Sequence, residues 1–238
     1  MAIAVRGTSN ASVAGGTNYT IVPPAGTQPG DLLAIIYSET AFTVGSMSNW
    51  TIAGTKVAFF DGMASQAEYR IAEDPVPATY TVIKSSGNGA AHMIALYSTE
   101  AGGDLSVADI AWAAVEAEDP AIERPPSPTF EVPDITAGAD GSLLLALLAR
   151  LKLDEFPEVP TGMSSESTYN SSTAQGDFRT ASLAVDAGAT GTKYIASLDS
   201  TQNSAVAALV ITETITATPE VVAISAPLNA GGIGFRLD

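Results

Sequence analysis

The sequence has no cysteine, a single histidine, and only 10 lysines and arginines against 26 aspartates and glutamates. Without cysteine there are no disulfides, no thiolate nucleophile and no thiolate metal site. With one histidine, a nucleophile–histidine–acid mechanism can form at one place only. The net charge of −16 opposes a phosphate backbone, so no nucleic-acid partner is expected. Long hydrophobic runs are also missing. The longest, Leu143 to Ala149, ends at Arg150 and is too short to cross a bilayer. The start, "MAIAVRGTSN", lacks a basic segment, a long apolar stretch and a cleavage site. A soluble chain with no membrane partner is the expectation. Charged residues are 15% and hydrophobic residues 46%, which is too apolar for disorder.

What is abundant is Thr, Ser, Val, Gly and Pro, a mix that suits short strands and frequent turns. Ala2 to Val5 reads as a short apolar strand closed by Arg6. "NYTIVPP" (18–24) is β-rich and stops at two prolines, which cannot donate to a ladder. Leu32 to Tyr37 is a continuous apolar run of buried-strand length. "SNWTIAGTKVAFF" reads as two strands around Gly54. "SQAEYRIAED" has period two: Ala67, Tyr69 and Ile71 face one way, Glu68 and Arg70 the other, as in a half-buried strand. "ATYTVIKSS" and "AAHMIALYST" complete this half.

The same order then returns. "PTFEVPD" matches "NYTIVPP", and "GSLLLALL" matches "GDLLAIIY". "TASLAVDAG" matches "AEYRIAED", "GTKYIASLDS" matches "ATYTVIKSS", and "SAVAALVITE" matches "AAHMIALYST". The offset begins at 111 (Gly30 to Gly141) and reaches 114 (Tyr80 to Tyr194). Five matched segments in one order indicate a duplicated unit. The expected fold is all-β: an antiparallel β-sandwich or jelly roll built from two duplicated halves, residues 1–104 and 105–214, with an extended tail over 215–238. Each copy can form its own small sandwich, or the copies can pack face to face as one body. The burst strands, apolar on both faces, call for cover on both sides and favour one compact body. "SVADIAWAAVEAEDP" at the junction suits a short helix by its alanines or a strand by the alternation of Ile110, Trp112 and Ala114. The strand, a second copy of the opening one, is preferred. The tail from Thr214 either adds a strand to a neighbour or forms a last strand on its own domain.

Few residues carry chemistry. His92, in "AAHMIAL", is expected as a strand histidine at a surface or sheet end. Glu116, Glu118, Asp119 and Glu123 cluster in the joining loop, and Asp154, Glu155 and Glu158 in "LDEFPEVP". Grouped carboxylates can hold calcium or cleave glycosides. Neither cluster has the spacing of a calcium loop, and solvated loop charge is the preferred reading. Trp50 and Trp112 are expected in a core, with sugar stacking at Trp50 as the alternative. Sequons at Asn10, Asn18, Asn49 and Asn170 carry little weight without a secretion signal. No phosphate loop, dinucleotide fingerprint or zinc pattern occurs. No catalytic, cofactor-binding or metal-ligating residue is assigned, and no cofactor is expected.

"PPAGTQPGDLLAIIY", "NWTIAG", "AEYRIAEDPVPATYTV" and "AAHMIALYS", with the "AGATGT" turn at 187–192, resemble a β-rich family common in bacteriophage genomes. The resemblance covers about residues 15–213. It implies a virion protein: capsid decoration (cement), head fibre or minor tail type. The implied partner is the major capsid protein on the outer surface of the assembled head, the implied state a homo-oligomer, with a trimer favoured. The resemblance supplies no catalytic residues. A carbohydrate-binding tail or fibre module for host adhesion is the alternative.

Overall fold

A computed structural model describes residues 2–40, 46–53, 57–58, 64–83, 87–115, 130–150, 158–171, 176–195 and 204–215. Among these the fold is all-β, with no helix and with antiparallel pairing at every ladder. The first half supplies β1 (Ile3–Val13), β2 (Asn18–Ile21), β3 (Leu32–Glu39), β4 (Ser46–Met47), β5 (Thr51–Ile52), β6 (Val57–Ala58), β7 (Ala64–Ile71), β8 (Tyr80–Ile83) and β9 (Gly89–Ser98). The second half supplies β10 (Gly103–Val115), β11 (Phe130–Val132), β12 (Thr136–Ala137), β13 (Ser142–Arg150), β14 (Ser164–Ser171), β15 (Gly176–Val185), β16 (Gly188–Ala189), β17 (Lys193–Ile195) and β18 (Ser204–Ile215). The junction segment is therefore a strand, and Ile110 and Trp112 share one side of it as the alternation requires. The expected tail lies outside the described residues beyond Ile215.

Two large sheets carry the fold. One has the order β1-β9-β3-β7-β5, with β6 also on β7; the other has the order β10-β18-β13-β15-β14. The bursts β3 and β13 are central in each, and every one of their residues is buried. Their alternate side chains go to opposite faces. Leu32, Ala34 and Ile36 join Leu143, Leu145 and Leu147 in one shared core, so the two sheets face each other. Leu33, Ile35 and Tyr37 turn the other way, under a small sheet ordered β2-β8-β4. Leu144, Ala146 and Leu148 turn toward Val132 of β11 and Ile195 of β17. Four layers result, and the approach between halves is close. A Cβ added to Gly176 would lie 2.8 Å from Ser38 Oγ in the other half.

Four strands of each half hold equivalent places in its large sheet. β1, β9, β3 and β7 stand where β10, β18, β13 and β15 stand. Both opening strands carry a bulge at the same place, after Val5 opposite Leu96 and after Val107 opposite Ile211. The ladder also corrects the sequence matching. Leu32 lies opposite Leu96, and Leu143 lies opposite Ile211, so Leu96 corresponds to Ile211. Matching the segments from their first residues pairs Leu96 with Val210, which points to the other face. Ile21 and Val132 are both fully buried, and they lie opposite Tyr80 and Lys193 respectively, so by burial Tyr80 stands where Lys193 does and not where Tyr194 does. Tyr80 is buried and Tyr194 exposed, as that register demands. The two tyrosines coincide as letters, not as positions.

Two further expectations need correction. β1 does not close at Arg6: it passes through the bulge and pairs with β9 as far as Val13. Arg6 instead reaches Asp31, with Nε at 2.5 Å and the terminal nitrogen at 2.9 Å, and its guanidinium lies over the Tyr97 ring. β7 is buried on both faces from Ala64 to Glu68, and Ile71, expected on its buried face, is exposed. Glu68, on the side expected to meet water, is buried beneath β4.

The turn into β9 depends on Gly87. Its φ is +84°, and a Cβ there would sit 2.3 Å from the carbonyl oxygen of Thr40. Gly87→Ala is expected to destabilise the fold by roughly 2–3 kcal/mol, through left-handed strain and displacement of Thr40. A denaturant midpoint equal to wild type would contradict that contact.

Candidate functional site

His92 is fully buried within β9, contrary to the expected position at a surface or sheet end. It is the fourth residue of β9, and its even-numbered side faces the core shared by the two sheets. There it joins a polar chain that crosses between the halves. Nδ1 lies 2.5 Å from Asn10 Oδ1 on β1, and Nε2 lies 2.7 Å from Ser167 Oγ on β14. Ser167 Oγ in turn lies 2.6 Å from Thr180 Oγ1 on β15. The ring stacks on Tyr169, which stacks on Phe178. Burial pushes the imidazole down to about 4, so it is neutral at pH 7. A neutral ring satisfies the chain when Nδ1–H donates to Asn10 and Nε2 accepts from the Ser167 hydroxyl.

This connectivity of orienting amide, imidazole and hydroxyl is that of a nucleophilic triad. Its environment works against the chemistry. An imidazole held near 4 is a weak base at neutral pH. The Ser167 hydroxyl is also engaged by Thr180, which is itself buried. The chain satisfies polar groups at the boundary between two sheets and thereby fixes one sheet against the other.

A second buried polar group lies between β3, β7 and β4. Glu68 accepts from Tyr37 Oη at 2.8 Å, from Gln66 Nε2 at 2.5 Å and from the Met47 amide at 3.1 Å. Burial raises the Glu68 carboxyl, and these three donors partly offset it. Burial, with the Glu68 charge and hydrogen bond, raises the Tyr37 hydroxyl. This cluster too is enclosed and serves the interior.

The acidic residues Glu116, Glu118, Asp119, Glu123, Asp154 and Glu155 lie outside the described residues. Glu158 is described and exposed. Among the described residues, no group of three or more His, Asp or Glu is placed to hold a metal. Trp50 is half-buried against the outer core of the first sheet and meets Tyr80 edge-on at 5.2 Å. Arg70 lies over both rings. Trp112 packs against the core between the sheets. Asn10, one of the sequons, is committed to His92.

With a cation over its ring and Tyr80 against its edge, Trp50 is built into the protein. Trp50→Ala is expected to cost about 2–3 kcal/mol, below the range for a fully buried tryptophan because this one is half-exposed. The check is a lower unfolding midpoint. An unchanged midpoint together with lost glycan binding would restore the platform reading.

No family model matches the chain, and no curated protein or solved structure matches it either.

Proposed function

We propose that this chain is a structural, non-enzymatic protein of a bacteriophage virion, a decoration or cement protein on the outer surface of the assembled head. The observation that supports it most is where the chemistry-bearing residues lie. His92 and Glu68 are buried, and their hydrogen bonds are spent inside the fold. The sequence resemblance to phage β proteins points the same way. In this reading the four layers are a β-sandwich with covered outer faces, and the shared strand order and bulge positions descend from an internal duplication. The partner is the major capsid protein, contacted by a homo-oligomer, with a trimer favoured by the closed symmetry of threefold positions. The acidic surface, with net charge −16, opposes clumping of coated particles.

Gold-labelled antibody against the protein, applied to intact particles of the source and viewed by electron microscopy, tests this. Label spread over the head is the expected result. Label confined to the tail or its tip would replace decoration with an adhesion role and call for glycan screening. Particles without label would remove the virion reading.

A further inference from the structure

The two ends of the sheet pair are closed by different chemistry. Across the shared core β1 contacts β14, β9 contacts β15 and β3 contacts β13. The strand orders therefore run oppositely, which puts β10 on the side of β5 at the other end. Asn10 of β1 pairs with His92, and in the equivalent place Trp112 of β10 pairs with Ala207. Thr180 lies opposite Leu147, and in the equivalent place Ala67 lies opposite Ile36. Ser167 is the ladder partner of Thr180, while the Ala53 amide bonds the Ala67 carbonyl. The end at β10 and β5 is thus closed by Trp112 and alanines within the shared core. The end at β1 and β14 is closed by the polar chain through His92.

The polar end is also the more easily parted. Among the described residues β1 pairs in its large sheet with β9 alone, and β14 with β15 alone. A cleft of about 290 Å³ already indents this end, between Ile3 and Val5 on one side and Ser164, Glu166 and Ser182 on the other. The ring meets Asn10 from β1, Ser167 and Tyr169 from β14, and Thr180 of β15 behind Ser167. Its ladder partner on β3 is Ile36. Of these groups only Tyr169 is titratable. Arg6 on β1 is bound to Asp31. Asp177 and Arg179 alternate with Phe178 and Thr180 along β15 and turn to the opposite face, as Glu39 does on β3. Glu166, next to Ser167 on β14, accepts from Ser182.

A proton on Nε2 turns that atom from acceptor to donor. Ser167 must then reverse and donate to Thr180, and none of the ring's neighbours offers a negative charge. Separation of β1 from β14 lets water, and the Glu166 carboxylate, reach the imidazolium. We propose that His92 is a proton-operated latch: its protonation parts the two sheets along β1 and β14, while the end closed by Trp112 stays shut. The latch is independent of the virion reading. It differs from a general loss of stability in acid because only one end responds.

A single cysteine can be placed at will, since the chain has none. Ser182→Cys puts a thiol inside the polar end, and Ala67→Cys puts one inside the apolar end; both positions are buried. Each full-length variant is labelled with a dithiodipyridine, which reacts in mild acid, and its rate is divided by that of a free thiol at the same pH. A ring neutral when closed and titrating normally when open shifts the balance by about tenfold per pH unit below its ordinary value. Between pH 7 and pH 5 the relative rate at Ser182→Cys should therefore rise at least ~10-fold, with that at Ala67→Cys constant. Adding His92→Gln should abolish the rise. No rise at Ser182→Cys, equal rises at both sites, or a rise that persists with His92→Gln would each overturn the latch. The native sequence supplies a second measurement. Its far-ultraviolet circular dichroism and tryptophan fluorescence should be the same at pH 7 and pH 5. Loss of both signals at pH 5 would overturn the latch in favour of global unfolding.

Discussion

Leu145→Ala is expected to lower the unfolding free energy by about 3–4 kcal/mol and to leave a single transition. Leu145 is fully buried in the middle of β13 and points into the core shared by both sheets. Its neighbours there include Leu32, Ala34 and Ile36, from a strand more than a hundred residues earlier. Truncation removes the transfer free energy of the side chain and leaves a cavity between two rigid sheets that cannot easily close. The form of the transition matters as much as its position. If each half held its own core, the mutation would shift only the transition of the second half and denaturant profiles would split. Because the lost contacts belong to both halves, tryptophan fluorescence and far-ultraviolet circular dichroism should move together. Trp50 and Trp112 sit in different halves and on different cores, so fluorescence reports on both. Leu144→Ala is the comparison. It sits one residue away, fully buried in the outer core of the second sheet, and carries a similar transfer term without the shared contacts.

Acid is expected to weaken the protein through His92. The folded imidazole titrates near 4, against an ordinary value of 6.5. Below 6.5 the unfolded chain takes up a proton that the folded chain refuses, so the unfolded state gains as pH falls. The contribution of the neutral ring is full above 6.5 and is lost progressively down to about 4. The size follows from the shift: roughly 3 kcal/mol between the two limits. Among the described residues, the ring's partners are Asn10, Ser167 and Tyr169, with Thr180 behind Ser167, and none of these is a carboxylate that would compensate an imidazolium. Glu68 acts with the opposite sign. Its raised carboxyl favours the folded state at low pH, and that favour is lost as pH rises through the raised value. The His92 effect is therefore read as the difference between wild type and His92→Gln, in which Glu68 is common to both. The variant should be less stable at pH 7, since the ring and its stacking are gone, yet its stability should fall less between pH 6.5 and 4. Parallel pH profiles for the two proteins would show that His92 is not held neutral.

The sequence by itself determined the strand content and much of the order. Period-two alternation in "AEYRIA", proline stops after "NYTIV" and the two apolar bursts each place an element where a strand is found. The bursts also required cover on both faces, since alternate residues of a strand point opposite ways and all of them are apolar. Several features were not legible. The repeated letter at Tyr80 and Tyr194 misled the register, because a side chain's face is set by hydrogen-bonded partners and a shift of one residue reverses it. Glu68 and Arg70 alternate with apolar neighbours as solvent-facing residues do. β4 covers Glu68 and supplies the Met47 amide, a contact over 21 residues that no local pattern announces. His92 carried one usable sign, a polar residue on the same parity as Ile94 and Leu96. Its partners Asn10 and Ser167 come from strands 82 and 75 residues away. Local propensity and periodicity fix what each segment can be. Only the packing of the two sheets decided which polar groups met, because their burial is a property of the assembled layers and of no single strand.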